Sequence, residues 1–498
     1  MTEPATAPGW QLAVNRTADL PPMAWLLRAR TNLPDGPLAA VTCGALVASH
    51  GEGIFEGTWV GESGVAGIRA STTTFGSGVL LDRGALHVVP PSHLLETVYL
   101  CRRPGEVVAS NSLVGLLVAA DLELDPDVDY PARFGKAGEG TMRFSIPTTS
   151  LPIEAVGFDG VRIEADGSLT DVEKPREGPF SSFADVRSRL SEALRTSLAN
   201  APGFEPVATI SSGYDSASMA TLASELGCRR AVTVVEGKPV RGSSRTSDSG
   251  EAVARNLGMD VQLLRRLAYL ERDDFPEASF LSTGATGEDI VLSEAEPSLA
   301  RTLLITGFFG DGMWWLNRPK RSLLWRLEQA GMSLGEWRIQ AGFIHVPLPW
   351  FGALQMDSVG PISRSAEMAP FVLGMDNDRP IPRRILEEAG IKRGTFADAK
   401  RATSATIHSH GPTSLSPRTR AAVEAFAAAE GRSVEFRRRT FPRWRKVLFK
   451  AGKRLHKPRI WRFAEGARLE FTRHQPRFGN LLLRWAVSVV APRYRALR

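Results

Sequence analysis

The chain has 498 residues, too long for one ordinary core, and its length predicts two or three domains. With 43% hydrophobic and 23% charged residues it is not a disordered or fibrous protein, and its three scattered cysteines (Cys43, Cys101, Cys228) argue against a disulfide framework or a cysteine metal site and fit a reducing cytoplasm. The net charge of +7 is uneven: residues 432–498 hold 20 Lys/Arg against Glu435, Glu465 and Glu470, so the basic character belongs to a tail and the remainder is acidic.

The opening MTEPATAPGW carries neither the basic nor the apolar region of a signal peptide. Residues 1–175 are rich in Gly and Thr and contain short runs such as LAAVTCGALVAS, GVLLDRGALHVV and EVVASNSLVGLLVAA, which predict a β-rich α+β domain. EKPREGP (173–179) reads as a linker. Beyond it, Phe183, Val186, Leu190, Leu194 and Leu198 fall at helical spacing, with Ser181 or Ser182 as the cap and Pro202 as the stop. The pattern then alternates. EPVATI, AVTVVE and DVQLL read as strands, and SASMATLASELG and SGEAVARNLG as helices closed by Gly227 and Gly258. Single helices between strands predict an α/β domain with a parallel sheet over residues 180–430, with ligands at the carboxyl ends of its strands. The most apolar stretch, 481–491, is broken by Arg484 and too short to span a bilayer. Residues 431–498 form a basic, helical, aromatic-containing extension.

The segment TISSGYDSAS (209–218) places serines, a glycine and an aspartate where a strand runs into a helix, whose N-terminal N–H groups and dipole favour an anion. The chain has no G-x-x-x-x-G-K-S/T, and GKAGEG (135–140) lacks the strand–turn–helix setting of a dinucleotide fingerprint. Ser211-Ser212-Gly213-Tyr214-Asp215-Ser216 resembles the PP-loop, S-G-G-x-D-S, of ATP pyrophosphatases, with Ser212 in place of a glycine. Ninety residues on, LLITGFFGDGMWW presents Gly307-Phe308-Phe309-Gly310-Asp311-Gly312 after another apolar strand, similar to the G-x-G-x-D motif of asparagine synthetases, β-lactam synthetases and lasso-peptide cyclases. DRPIPRRILEEAGIKRGTFADAK (378–400) is similar to that family's late basic segment, which ends in a lysine. Taken in order, the resemblance to the asparagine-synthetase-like superfamily covers roughly residues 85–405.

The resemblance implies an N-terminal Ntn-like glutaminase-type domain, a HUP-like PP-loop synthetase domain, and a reaction in which ATP adenylates a carboxylate and an amine displaces AMP. Mg²⁺ would bridge phosphate oxygens, with Asp215 and Asp311 as hard oxygen ligands. Ser211, Ser212, Gly213 and Ser216 would cradle pyrophosphate, Gly307 and Gly310 would shape the second turn, and Lys400 would be the catalytic cation, with Lys392 or Arg393 as alternatives. Glu251 reads either as a substrate or ribose contact or as a helix-dipole residue.

Two departures bear on function. Phe308 stands where related enzymes carry a proton-transferring glutamate or tyrosine. Thr2 follows Met1 where glutamine-dependent members place a cysteine, which implies a degenerate glutaminase domain and an amine from elsewhere. The expected reaction is amide or lactam formation between small-molecule or peptide substrates. A non-catalytic nucleotide- or partner-binding relative and a PP-loop enzyme acting on RNA are the alternatives, nucleic acid being opposed by the family-like order of motifs. The stretch FRRRTFPRWRKVLFKAGKRLHKPRIWRF suits a solvated extension, an acidic peptide or peripheral docking at an anionic membrane surface. His408 and His410 do not form a metal set.

Overall fold

On a β-strand successive side chains point to opposite faces, so a strand buried on both faces must be apolar throughout. WLLRAR follows this over its buried positions: Leu27 and Ala29 face one core and Leu26 another, while Arg28 is half-buried and Arg30 exposed. The computed structural model describes residues 9–31, 33–138, 140, 142–237, 247–316, 324, 329–375, 378–396, 403–405, 407–436 and 476–498. In its first part, one sheet orders Gln11–Arg16, Leu38–Cys43, Trp25–Arg30, Glu106–Ser110, Val98–Arg103, Ile153–Val156 and Arg143–Ile146, antiparallel except for the outer pair Gln11–Arg16 and Leu38–Cys43. A second, antiparallel sheet orders Leu169–Val172, Gly160–Ile163, Ala85–Val89, Thr74–Asp82, Gly53–Trp59 and Ala48–Ser49. Trp25, Leu27 and Val41 of the first meet Ile54, Val79 and Val88 of the second in a shared core. Helix Leu113–Ala119 covers the outer face of the first sheet, and Ile68 of the short helix Gly64–Ala70 packs on Phe55 and Leu80 outside the second.

The expected linker is an extended strap pinned at two points. Lys174 is buried, and its Nζ donates to Thr74 Oγ1 (2.6 Å), Ser92 Oγ (3.0 Å) and the Pro90 carbonyl. Glu177 accepts from Thr72 Oγ1 (2.6 Å) and Arg189 (2.8 Å). Helix Phe183–Ala199 follows, with Ser182 as its cap: its Oγ accepts the Asp185 N–H at 3.1 Å.

The second part holds a five-stranded, wholly parallel sheet in the order Asp260–Leu264, Arg230–Val234, Glu205–Thr209, Thr302–Thr306, Ile344–Pro347. The chain moves outward to one side from Glu205–Thr209, then returns to the centre at Thr302–Thr306 and moves to the other side. The strand order therefore reverses between these two, and that point is where open parallel sheets form a ligand crevice.

The described end of the chain, residues 476–498, packs against the rest of the molecule. Helix Pro476–Val490 and the turn Ala491–Leu497 are built into the body: Phe478, Leu482, Trp485 and Tyr494 are buried, Asn480 Nδ2 donates to the Asp125 and Val128 carbonyls, and Trp485 stacks edge-on against Phe275. Arg484, which interrupts the apolar run, is absorbed by an ion pair with Glu430. The basic aromatic stretch of 437–475, with Trp444, Phe449, Trp461 and Phe463, lies outside the described residues, as do Thr2 and Lys400. Among the described residues no helix is long and apolar enough to cross a membrane, and no group of three His, Cys, Asp or Glu side chains could hold a metal ion.

Candidate functional site

The two motif loops leave the carboxyl ends of the adjacent strands Glu205–Thr209 and Thr302–Thr306, on either side of the crevice. After the first strand, helix Tyr214–Glu225 begins at Gly213, whose N-cap position supplies no side-chain bond. Starting at Tyr214 puts Asp215 in the first turn, where a carboxylate is favourable against the helix dipole.

The serines of the loop have distinct tasks. Ser211 and Ser216 close it, their Oγ atoms 2.7 Å apart, with the Ser211 N–H on Ser216 Oγ (3.1 Å) and the Gly213 N–H on Ser211 Oγ (3.1 Å). Ser212 instead braces the loop from outside. Its N–H donates to the Asp248 carbonyl (3.0 Å) and its Oγ to Asp248 Oδ1 (2.6 Å). This explains why serine is tolerated where a glycine is usual in the resembling motif, since Ser212 is not among the residues with positive φ. Glu251 is ion-paired to Arg255 one helical turn on (2.8 Å) at a largely exposed site.

The second loop is pressed onto the first. A Cβ at Gly307 would lie 2.4 Å from the backbone C of Asp215 and N of Ser216, and one at Gly310 would lie 2.5 Å from Asp215 Cγ. Neither glycine is there for a positive φ; both are there because the chains touch. The left-handed conformation falls on Phe309 (φ 76°), a strained position for a phenylalanine. Its buried ring stacks on Trp350 with centroids 4.2 Å apart. Asp311 lies in the first turn of the short helix Gly310–Met313, half-buried. Phe308 sets its ring edge-on to His345, with centroids 5.7 Å apart.

Arg379 completes the constellation. Its guanidinium, almost wholly buried, forms an ion pair with the partly exposed Asp215 carboxylate. It is delivered by the cap of helix Pro380–Glu388, which packs along helix Tyr214–Glu225. Arg383, one turn on, is fully buried between Asp378 (2.6 Å) and the Tyr214 hydroxyl, with its guanidinium 5.1 Å from the Tyr214 ring centroid. Burial raises the Tyr214 phenol above its ordinary value although Arg383 opposes the shift. Within the basic segment 378–400 the described cation that pairs with Asp215 is Arg379, while Lys400 lies outside the described residues. The available signal was the pair of prolines in DRPIPRR, which start a helix and so fix the arginine before them. Of the alternatives to Lys400, Arg393 pairs with Glu387 and Lys392 is exposed. Phe396, the last described residue before 397–402, rests edge-on against Tyr214 (5.8 Å).

His408 is buried, and burial lowers its pKa to about 4, so it is a neutral core residue. No protein-family model matches the chain, and no curated protein matches it with significance.

Proposed function

We propose that this chain is a Mg·ATP-dependent ligase of the asparagine-synthetase-like type, which adenylates a carboxylate with release of pyrophosphate and passes the acyl group to an amine, giving AMP and an amide or lactam. In this reading the two-sheet N-terminal part is an Ntn-like domain without glutaminase chemistry, and the parallel-sheet part is the PP-loop synthetase domain. The observation that carries it is the meeting of the Ser211–Ser216 loop and the Gly307–Asp311 turn at the sheet's reversal point, so close that two positions admit no side chain, with Arg379 on Asp215.

The site's charges suit the chemistry. The first-turn N–H groups of helix Tyr214–Glu225, the hydroxyls of Ser211 and Ser216, and the Arg379 guanidinium would together recognise phosphate oxygens. Asp215 and Asp311 fit the hard-oxygen preference of Mg²⁺, which when bound would neutralise charge between phosphates. Arg379 pairs with Oδ2 of the same carboxylate that would serve the metal, so its guanidinium stands where it would also reach phosphate oxygens. Phe308 supplies no proton acceptor for the incoming amine. Small-molecule or peptide carboxylates and amines are the substrate class of this reading, with the amine supplied by a substrate or as free ammonia.

Isothermal titration with Mg²⁺ and a non-hydrolysable ATP analogue tests it, with the Asp215→Ala/Asp311→Ala variant alongside. Binding that is lost in the variant supports the nucleotide reading, and formation of AMP from ATP with a carboxylate but without RNA supports the ligase over an RNA-modifying enzyme. A folded wild type that binds no nucleotide rejects both.

A further inference from the structure

Four buried ionisable side chains form a chain of contacts between the two halves of the molecule. Arg338, on helix Leu334–Ala341, donates from Nη1 to Glu56 Oε2 (2.7 Å) and from Nη2 to Glu56 Oε1 (2.8 Å), and its Nε donates to Glu96. Glu96 Oε1 also meets His345 Nδ1 (3.3 Å), and His345 Nε2 lies 2.9 Å from Thr306 Oγ1. Glu56 belongs to a strand of the N-terminal half and Glu96 to the segment between two of its strands, whereas Thr306, His345 and Arg338 belong to the parallel-sheet half. Burial opposes the charge on Glu96, but Arg338 and His345 hold its carboxyl down at about 2.

The end of this chain matters most. Thr306 is the last residue of its strand and is followed directly by Gly307, and the His345 ring that bonds Thr306 also carries the edge-on ring of Phe308. One imidazole therefore holds the residues on both sides of Gly307. Gly307 in turn touches the backbone of Asp215 and Ser216 too closely for any slack. A shift of His345 would pass into both motif loops.

We propose that Glu96 is a positioning residue for the Gly307–Asp311 turn, acting through His345 and Thr306, so that the N-terminal half forms part of the structural support of the nucleotide site. The link to the nucleotide rests on the function proposed above; the link to the turn does not. An N-terminal domain without glutaminase chemistry would then be retained because its carboxylate orients the imidazole behind the site.

The test compares Thr306→Val, which keeps the shape and removes the hydroxyl, with Thr306→Ser, which restores it, and with Glu96→Gln, all in the full chain. Two readouts are needed: hydrogen exchange of peptides spanning 307–311, and affinity for Mg²⁺ with a non-hydrolysable ATP analogue. Thr306→Val and Glu96→Gln are expected to speed exchange at 307–311 by about tenfold and to weaken the analogue by a similar factor, from loss of one buried hydrogen bond. Thr306→Ser is expected to stay near wild type in both. Tyr494→Phe breaks a buried bond to Glu336, on the same helix as Arg338, that does not lead to Thr306, and is expected to leave 307–311 unchanged. Wild-type exchange at 307–311 in Thr306→Val and Glu96→Gln, or an equal response in Tyr494→Phe, overturns the proposal. Exchange that responds in a chain binding no analogue leaves the positioning role standing and removes the nucleotide reading instead.

Discussion

Replacing Gly307 by alanine tests the contact on which the site depends. The added methyl would stand 2.4 Å from Asp215 C and Ser216 N and 2.6 Å from Asp215 O, where ordinary contact needs at least 3.4 Å. The overlap is thus about 1 Å, and every clashing atom is backbone, so no side-chain rotation relieves it. The two loops must part, at a cost of about 1–3 kcal/mol for overpacking of this kind. If the same parting withdraws the first-turn N–H groups and Ser216 from a phosphate, affinity for Mg²⁺ and a non-hydrolysable ATP analogue falls by about 5- to 150-fold. Gly310→Ala meets the Asp215 side chain instead, with Cγ at 2.5 Å and Cβ and Oδ1 at 2.6 Å; the carboxyl group can turn only against its pairing with Arg379, and Cβ does not move on rotation. The expected result there is a loss of stability of the same order. Gly135→Ala is the control: it lies within helix Tyr130–Gly138, has nothing within 4 Å of its added Cβ, and should be neutral or slightly stabilising. Thermal melting and titration of the three variants check this. A Gly307→Ala protein that melts and binds like Gly135→Ala refutes the argument that close approach dictates glycine at this position.

Three further outcomes follow from buried polar groups. Arg338→Met leaves the Glu56 and Glu96 carboxylates buried without their guanidinium and should cost about 3–5 kcal/mol in urea unfolding; a loss below about 1 kcal/mol would mean water reaches the cluster. His93 is wholly buried, its ring nitrogens have no partner, and burial lowers its pKa to about 3. The unfolded chain therefore binds the proton first, near pH 6.5, and stability falls with decreasing pH from there towards 3; between pH 7 and 5 His93 alone accounts for about 2 kcal/mol, which His93→Phe should remove from the difference in unfolding free energy at the two pH values. Tyr494→Phe deletes the 2.6 Å bond from the buried C-terminal hydroxyl to Glu336 Oε1 and should cost about 1.5–3 kcal/mol by thermal or urea melting, whereas an exposed tail residue would cost nothing.

What the sequence disclosed follows the range over which each feature is determined. DVQLL coincides with the strand Asp260–Leu264, and EPVATI, AVTVVE and LLIT fall on their strands within a residue or two, because alternation of apolar strand and capped helix is local. Ser182 was one of two proposed caps, and its hydroxyl performs that role. The neighbours in the two N-terminal sheets are set by pairings such as Leu26 with Ser110 and Ile153 with Cys101, across long separations that no period in the chain encodes. Charge in an apolar run was the overlooked signal. Glu56 in GIFEGTW and Glu96 in SHLLETVYL are each the one carboxylate among residues that bury, and LGEWRIQA buries Arg338 two residues from Glu336; charges destined for an interior must find partners there, as Arg338 does in Glu56 and Glu96.

Ser212 carries the same lesson into the site. Read as a departure from the S-G-G-x-D-S pattern, it suggests a weakened phosphate loop, since a glycine there is easily taken to mean a demand for unusual backbone geometry. The structure removes that demand, because the position has no positive φ, and gives the extra hydroxyl a partner in Asp248. Asp248 lies in the Ser247–Gly250 segment, where Ser249 bridges Ser211 and where a Cβ at Gly250 would strike the Ile210 and Ser211 backbone at 2.7 Å. A third strand end, that of Arg230–Val234, is thereby tied to the loop, with the Gly250 N–H on Thr233 Oγ1 at 2.9 Å. A serine that braces costs the loop one conformationally free residue and adds one hydrogen bond, from its hydroxyl to the buried Asp248 carboxylate, to the backbone bond that a glycine would also make, so the substitution stiffens the loop. Ser212→Gly should then weaken the architecture it nominally restores. A variant that melts at the wild-type temperature and exchanges its 211–216 amides no faster than wild type would return Ser212 to the status of a defect.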